Sequence, residues 1–348
     1  MGRIYGDMPF NAVRSLLESI NYDDVKEHIR SVELFRDVKI EHYDFPEEYP
    51  LYFRRIKAFD PIYIYGLKNI NVSPFSGLCW TKEGKILVES IGSIQRIMGW
   101  GGNLIEVSKV SMLNTNEEII AFPDTGYFHW LLEILPSFIY VINKIPNIKI
   151  LCPPGLNNYQ NDFLSIMFKN NVEERIIKSN KPLCIENYIM PAIEPYSGFV
   201  VKEYIQILRE TFLPLIVNDH KKTKIYISRR KSKKRKMPNE EILENELRGL
   251  GFEILYFENI PLLEQVKIVH SAGIIVAPHG AGLANIVFAE KDTKVIEIFP
   301  NWLYNDCFAR LAINNNLIYN SVRCELGGND SGKIPINELK NLIMNNEE

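Results

Sequence analysis

The chain has 348 residues, 46% of them hydrophobic, and a formal net charge of −3. That length allows two domains with separate cores, the apolar content excludes a disordered chain, and the slight acidity disfavours nucleic acid as a partner. The five cysteines Cys79, Cys152, Cys184, Cys307 and Cys324 are far apart, odd in number and without metal-ligand spacing, so reduced thiols and a cytoplasmic location are expected. The start, Met1 to Asp7, has no apolar signal core, and no run approaches the length of a membrane span.

Residues 1–60 are charged and aromatic, with a short helix expected over Ala12 to Ile20 and an acidic, proline-bearing loop from Glu41 to Pro50. They read as an arm or cap. Residues 61–217 read as a first α/β domain. Short strands are expected at Ile62–Tyr65, Gly77–Trp80, Lys85–Val88 and Glu118–Phe122, with a glycine-rich loop at Gly99–Gly102. A helix then runs from about Asp124 to Asn143, capped by Asp124 or Thr125, with Leu131, Leu132, Leu135, Phe138 and Ile139 as its apolar face. His129 and Glu133 are four apart and share a face of it. Further on come a strand at Lys149–Cys152, a helix at Asp162–Phe168, a strand at Ile185–Met190 and a helix at Lys202–Leu215. This alternation is that of an open α/β sheet.

Residues 218–348 repeat the alternation. Strands are expected at Lys224–Ser228, Phe252–Tyr256, Gly273–Ala277 and Val295–Phe299, with helices at Glu240–Leu250, Leu262–His270 and Gly282–Phe288 between them. A strand every 20 to 30 residues fits βαβ crossovers in a parallel sheet. The end of the chain reads as a helix at Trp302–Asn314, a strand at Leu317–Tyr319 and a last helix at Ile334–Met344.

Four groups of residues carry chemistry. His279-Gly280-Ala281-Gly282, then Leu283 and Asn285, follow a buried strand and open a helix. Glycines allow close approach of the backbone, and a helix N-terminus offers free N–H donors, so this corner suits a phosphate or diphosphate. Ser228-Arg229-Arg230 ends another strand, where Arg229 or Arg230 can fork onto phosphate oxygens. The basic run continues to Lys236 and reads as a solvated loop or as a contact to an anionic membrane surface. Glu297, one strand beyond the glycine turn, can accept the hydroxyls of a ribose. Asp124, His129 and Glu133 collect at one helix start, where a neutral imidazole can take a proton from a hydroxyl. His129 is the leading base, Asp124 the runner-up, and Glu133 can fix the tautomer of His129. No Asp-x-Asp segment or histidine and cysteine ligand spacing points to a metal, and no cofactor is expected.

Together these segments resemble glycosyltransferase family 61. Asp124 to Pro136 is similar to its "YHWL-E-LP" segment, with Phe128 in place of a commoner tyrosine, and Tyr226 to Arg230 to its "YISR" segment. Asn239-Glu240, Gly251-Phe252-Glu253, Glu264-Gln265, His279 to Asn285 and Val295 to Glu297 follow in its order, so the resemblance covers about Phe122 to Pro300. It implies a GT-B architecture, two Rossmann-like domains facing across a cleft, with the nucleotide held mainly by the second. It implies inverting transfer of a sugar from a nucleotide donor, read here as a UDP-sugar. The acceptor is read as a bacterial surface glycan, free or lipid-linked, at the inner membrane surface. Gly280-Ala281-Gly282 with Glu297 also fits part of an NAD-dehydrogenase fingerprint, though Asn285 stands where a third glycine belongs. A non-catalytic nucleotide- or glycan-binding scaffold is the other alternative.

Overall fold

The computed structural model describes residues 26–43, 45, 56–84, 86–90, 110–123, 125–191, 193, 197–217, 222–232, 237–300, 305–324 and 333–344. The readings at Ala12–Ile20, Gly99–Gly102 and Asp124, most of the loop from Glu41 to Pro50 and the basic run beyond Ser232 up to Lys236 lie outside these residues. The chain divides into two compact units, one of residues 1–40 and 58–197, the other of residues 41–57 and 198–348.

The first unit is built on a nine-stranded sheet. Its strands are β1 (Ile29–Arg36), β4 (Ile62–Val72), β5 (Cys79–Trp80), β6 (Ile86–Leu87), β7 (Ser111–Leu113), β8 (Ile119–Ala121), β9 (Lys149–Cys152), β10 (Ile176–Lys178) and β11 (Leu183–Met190). The short strands β2 (Lys39–His42) and β3 (Ile56–Phe59) pair with each other. The order β10-β9-β8-β11 is parallel and carries the expected α/β alternation. It continues antiparallel through β4, β5 and β6, with β1 also on β4. The strand expected over Ile62–Tyr65 therefore runs on to Val72. Gly66 does not end it: β1 pairs alongside, and a Cβ at Gly66 would meet only the rotatable Ser31 Oγ of that strand.

The second unit is a five-stranded, fully parallel sheet of β12 (Thr223–Ile227), β13 (Phe252–Leu255), β14 (Ala272–Pro278), β15 (Lys294–Phe299) and β16 (Ile318–Arg323). The order is β13-β12-β14-β15-β16. β15 is buried along its whole length, as expected of a strand covered on both faces. Tyr226, Val276, Ile296, Ile298 and Val322 pack on one face with Leu243 and Leu247 of helix α1 (Glu240–Gly249) and Leu339 and Ile343 of helix α2 (Ile336–Met344). Gly282–Phe288, expected as an α-helix, is a 3₁₀ helix spanning Ala281–Phe288.

The domain boundaries read from the sequence, at 60 and 217, fall elsewhere in the structure. Residues 29–36 are not a separate arm, because they form β1 of the first sheet. The helix Lys202–Phe212 belongs with the second unit. There Phe212 packs on Phe288 at 5.4 Å, and Arg209 Nη1 donates to the carbonyls of Val287 (3.1 Å) and Ala289 (2.6 Å), closing the end of the 3₁₀ helix. Glu41 belongs there too, since its buried carboxylate accepts from the Tyr43 hydroxyl and Asn314 Nδ2, both at 2.7 Å. Asn218 to Lys222 looks like a polar linker in sequence, but the apolar face of the preceding helix decides which unit that helix joins.

All five cysteines are free thiols, and only Cys184 is partly exposed. Burial pushes the Cys79 thiol up to about 12 and that of Cys152 to about 11, and it raises Cys184 as well. The thiolate is the reactive form, so a raised pKa and burial act in the same direction. In native protein at pH 8, a disulfide reagent followed by peptide mapping should modify Cys184 first. Cys79 and Cys152 should react only on unfolding, and fast labelling of either in the folded state would contradict the burial.

Candidate functional site

In the second unit, pleat parity decides which side chains meet. Val295 is in register with Tyr319, Ala277 with Glu297, and Tyr226 with Val276. Side chains alternate with a period of two. Glu297 and Tyr319 therefore both belong to the face opposite the Tyr226–Val276–Ile296 cluster; His279, just past the end of β14, reaches Glu297 on that face, and Arg229 lies two residues beyond β12. The strand order adds the second constraint. Connections leave β12 towards β13 on one side and reach β14 on the other, so the carboxyl ends of β12 and β14 flank a topological switch point, where open α/β sheets bind ligands.

The switch point brings Arg229 onto Gly280. A Cβ on Gly280 would collide with Arg229 Nη1 and stand 2.8 Å from Cζ, so the guanidinium lies directly over the glycine. The backbone of Gly280 is extended (φ 171°), so it is the space and not the dihedral that requires glycine. Ala281 and Gly282 are partly exposed and open the 3₁₀ helix, whose first N–H groups have no intrahelical acceptor. Arg229 is held from behind: its backbone N–H donates to Glu240 Oε1 (2.7 Å) and its Nη2 to Ser232 Oγ (3.1 Å).

Other members of the predicted donor set stand behind the corner. Ser228 is buried, with Oγ 2.8 Å from Glu244 Oε1 and 3.2 Å from Glu240 Oε1. Arg230 turns aside to Glu244 (3.2 Å), Glu241 (3.4 Å) and the Tyr256 hydroxyl (3.0 Å), and these partners raise its pKa, the Tyr256 hydrogen bond most. Of the two arginines, Arg229 is the one at the glycine turn. Leu283 is core, and Asn285 is buried with Nδ2 donating to Gln265 Oε1 (3.1 Å) and Gly282 O (3.2 Å), which fixes the turn. Glu297 corrects the ribose expectation. It is 0% exposed, one oxygen is bonded to His279 Nδ1, and the other accepts the Tyr319 hydroxyl at 2.6 Å. A carboxylate with both oxygens engaged inside the protein is not offered to a sugar.

The predicted residues His129 and Glu133 meet in the first unit, past the carboxyl end of β8. A turn of α-helix, Tyr127–His129, passes into a π-helical turn, Trp130–Ile134, and then into the helix Leu135–Lys144. Gly126 is the N-cap and no side chain bonds there, so Thr125 does not cap the helix as expected. The entry is held by the following helix, Asn158–Phe168: Tyr159 donates to Thr125 O (2.6 Å) and Gln160 to Pro123 O (2.9 Å). Trp130 is fully buried against Tyr159 (4.8 Å) and Phe163 (6.0 Å), which anchors the residue next to His129.

His129 Nδ1 lies 2.8 Å from Glu133 Oε2, and Ser197 Oγ donates to Glu133 Oε1 at 3.0 Å. Glu133 is 0% exposed while the imidazole is 37% exposed. A carboxylate accepts, so Nδ1 carries the hydrogen and Nε2 is the nitrogen available to a ligand as acceptor. Ser197, far away in sequence, gave no signal there. Glu240, Glu244, Tyr256 and Tyr319 were also missed, although the even spacing of Glu240 and Glu244 on one helix face could have pointed to a shared partner. An open groove of about 840 Å³ in the same unit is lined by Trp80, Asn71, Lys82 and Cys184 among others, and none of its lining residues belongs to the His129 cluster.

Residues 127–296 match the family described as Glycosyltransferase 61, and this span includes His129, Arg229 and the glycine turn. The chain is also similar to the Beta-1,2-xylosyltransferase RCN11 of Oryza sativa subsp. japonica, at 31% identity over 87 residues. That stretch is 25% of this chain and 16% of the rice protein, so the chain spans only a small part of that relative's length.

A guanidinium over a helix N-terminus is suited to an oxyanion. Gly280→Ala should displace the end of a flexible arginine and leave the fold intact. Affinity for inorganic pyrophosphate, measured by calorimetry, should fall about tenfold or more, since a charge-assisted hydrogen bond contributes about 1.5–3 kcal/mol. Unchanged pyrophosphate binding in the folded variant would remove Arg229 from the anion site.

Proposed function

We propose that this chain is a glycosyltransferase that moves a sugar from a nucleotide donor, a UDP-sugar in our reading, to a hydroxyl of a glycan with inversion. The observation that carries the proposal is the Arg229–Gly280 corner at the switch point of the second unit, inside the span that matches Glycosyltransferase 61. The name of the rice relative, a xylosyltransferase, supports a pentose as one candidate for the transferred sugar. The architecture proposed is GT-B, with the donor assigned to the second unit and the acceptor chemistry to the first. In support, the second unit has the parallel doubly wound order, and the first has a parallel core of four strands.

In a single displacement the acceptor oxygen bonds to the anomeric carbon as the bond from that carbon to the diphosphate oxygen breaks. The diphosphate leaves with the electron pair, and the acceptor proton must pass to a base on the opposite side. His129 is suited to that role: Glu133 holds the Nδ1–H tautomer and leaves Nε2 to accept. Asp124, five residues earlier in sequence, is the competing base. Arg229, His279 and the 3₁₀ helix N-terminus are the groups proposed to neutralise the leaving diphosphate without a divalent ion. The acceptor is proposed to be a bacterial surface glycan or its lipid-linked precursor, handled by a cytoplasmic protein at the inner membrane surface. The dehydrogenase alternative loses its acidic ribose ligand, because Glu297 is spent on His279 and Tyr319.

A panel of nucleotide sugars, read by diphosphate release and by the anomeric configuration of the product, tests the activity. Release from none of them, with nucleotide binding intact, would favour the scaffold alternative. His129→Ala should lower turnover by about 10² to 10⁴-fold while UDP binding is kept. If Asp124→Asn loses turnover instead and His129→Ala keeps it, the base is Asp124. Turnover should persist in EDTA, and loss restored by magnesium or manganese would overturn the metal-independent mechanism.

A further inference from the structure

We infer that Tyr319 is a positioning residue for the anion corner of the second unit, acting on His279 through Glu297. The inference rests on the glycosyl-transfer reading for what the anion is, a nucleoside diphosphate. It adds a residue that lies outside the matched span of 127–296 and on a different strand from any residue of the glycine turn.

The three side chains come from three adjacent parallel strands or their ends, and the register puts them on one face of the sheet. Glu297 is the middle member. It is fully buried, with one oxygen bonded to His279 Nδ1 and the other accepting the Tyr319 hydroxyl at 2.6 Å. Burying a carboxylate is costly unless its lone pairs are satisfied. Without the tyrosine hydroxyl, one oxygen would lose its donor, and the carboxylate would be free to rotate off the imidazole. The hydroxyl therefore fixes the direction of the acid.

His279 is fixed in turn. Its backbone N–H donates to Ile298 O at 2.9 Å, its ring stacks on Phe299 at 5.5 Å, and Phe308 meets it edge-on at 5.2 Å. With Nδ1 taken by Glu297, Nε2 is the ring nitrogen left for a ligand at the glycine turn. A phosphate oxygen at Nε2 would meet a ring that Glu297 holds from the other side. Arg229, over Gly280, is the other cation of this corner, whereas Arg310, on the helix that carries Phe308, is ion-paired with Asp306. The Tyr319 ring packs on the Tyr43, Phe45 and Ala309 cluster, so Tyr319→Phe keeps that packing and removes only the hydroxyl.

The experiment is a double-mutant cycle with calorimetry on the full chain, using UDP and inorganic pyrophosphate as probes. His279→Ala should weaken both by about tenfold or more, as loss of a charge-assisted hydrogen bond does. Tyr319→Phe should weaken them about three- to tenfold, and the double variant should bind like His279→Ala alone. Such non-additivity is the signature of one residue acting through another. A Tyr319→Phe protein that binds as the wild type does, or effects that simply add, would overturn the inference. Glu297→Gln gives a second arm with the same expectation. Should these variants not fold, ¹⁵N-histidine spectra of the wild-type chain decide: a hydrogen-bonded, slowly exchanging Nδ1–H of His279 is expected, and the Nε2–H tautomer refutes it. Failure of the functional reading looks different. Wild-type protein that binds pyrophosphate but not UDP, with the cycle still non-additive, sinks the nucleoside-diphosphate reading and leaves the positioning role. Wild-type protein that binds neither removes both.

Discussion

The contact of the Arg229 guanidinium with Gly280 is the constraint on which the second unit's candidate site depends. It exists because β12 and β14 are neighbours in the sheet although β13 lies between them in sequence. That order places two loops at adjacent carboxyl ends with no crossover covering them. One loop supplies a cation, the other supplies a glycine and the start of a helix. Any side chain at position 280 would occupy the space of the guanidinium. The glycine is therefore a partner of the arginine as much as a turn residue.

Buried carboxylates recur behind the groups proposed to face a ligand. Glu133 stands behind His129, Glu240 and Glu244 behind the Ser228–Arg230 loop, and Glu297 behind His279. Each is at most 1% exposed and accepts from the group in front of it, although Glu240 Oε2 is buried without a hydrogen bond. The consequence is directional. A buried acceptor fixes which nitrogen of an imidazole carries hydrogen, or which way a loop N–H points, and the outward group inherits that geometry. The price is stability, because a partly satisfied buried carboxylate costs more than an apolar residue of the same size. Their concentration beside the two clusters, and the π-helical turn that contains Glu133, fit sites where stability yields to orientation.

The α/β character and the parallel strands of the second unit were legible from β-branched runs separated by helical segments. Thr223–Ile227, Phe252–Leu255, Ala272–Pro278 and Lys294–Phe299 fall within a residue or two of the strands expected. The antiparallel extension of the first sheet was not legible. Gly66 and the polar residues after it look like a turn until β1 is known to lie beside them. The domain boundaries failed for a related reason: Lys202–Phe212 carries an apolar stripe, but a stripe does not say which core it covers.

By itself the sequence determined which chemistries were available: a glycine turn on a strand end, arginines on another, a histidine and a glutamate four apart, and an acid one strand on. Those are matters of local spacing, and helix and strand periods suffice to read them. Only the tertiary structure decided which of them meet. Two adjacent arginines are equivalent in sequence, yet the turn that follows β12 sends Arg229 to the glycine turn and Arg230 to Glu244. Glu297 has the spacing of a ribose ligand, yet burial and a tyrosine from the next strand make it a support for His279. Ser197 and Tyr319 had no local signal at all, because their partners lie 64 and 22 residues away and the contact exists only once the sheets have formed.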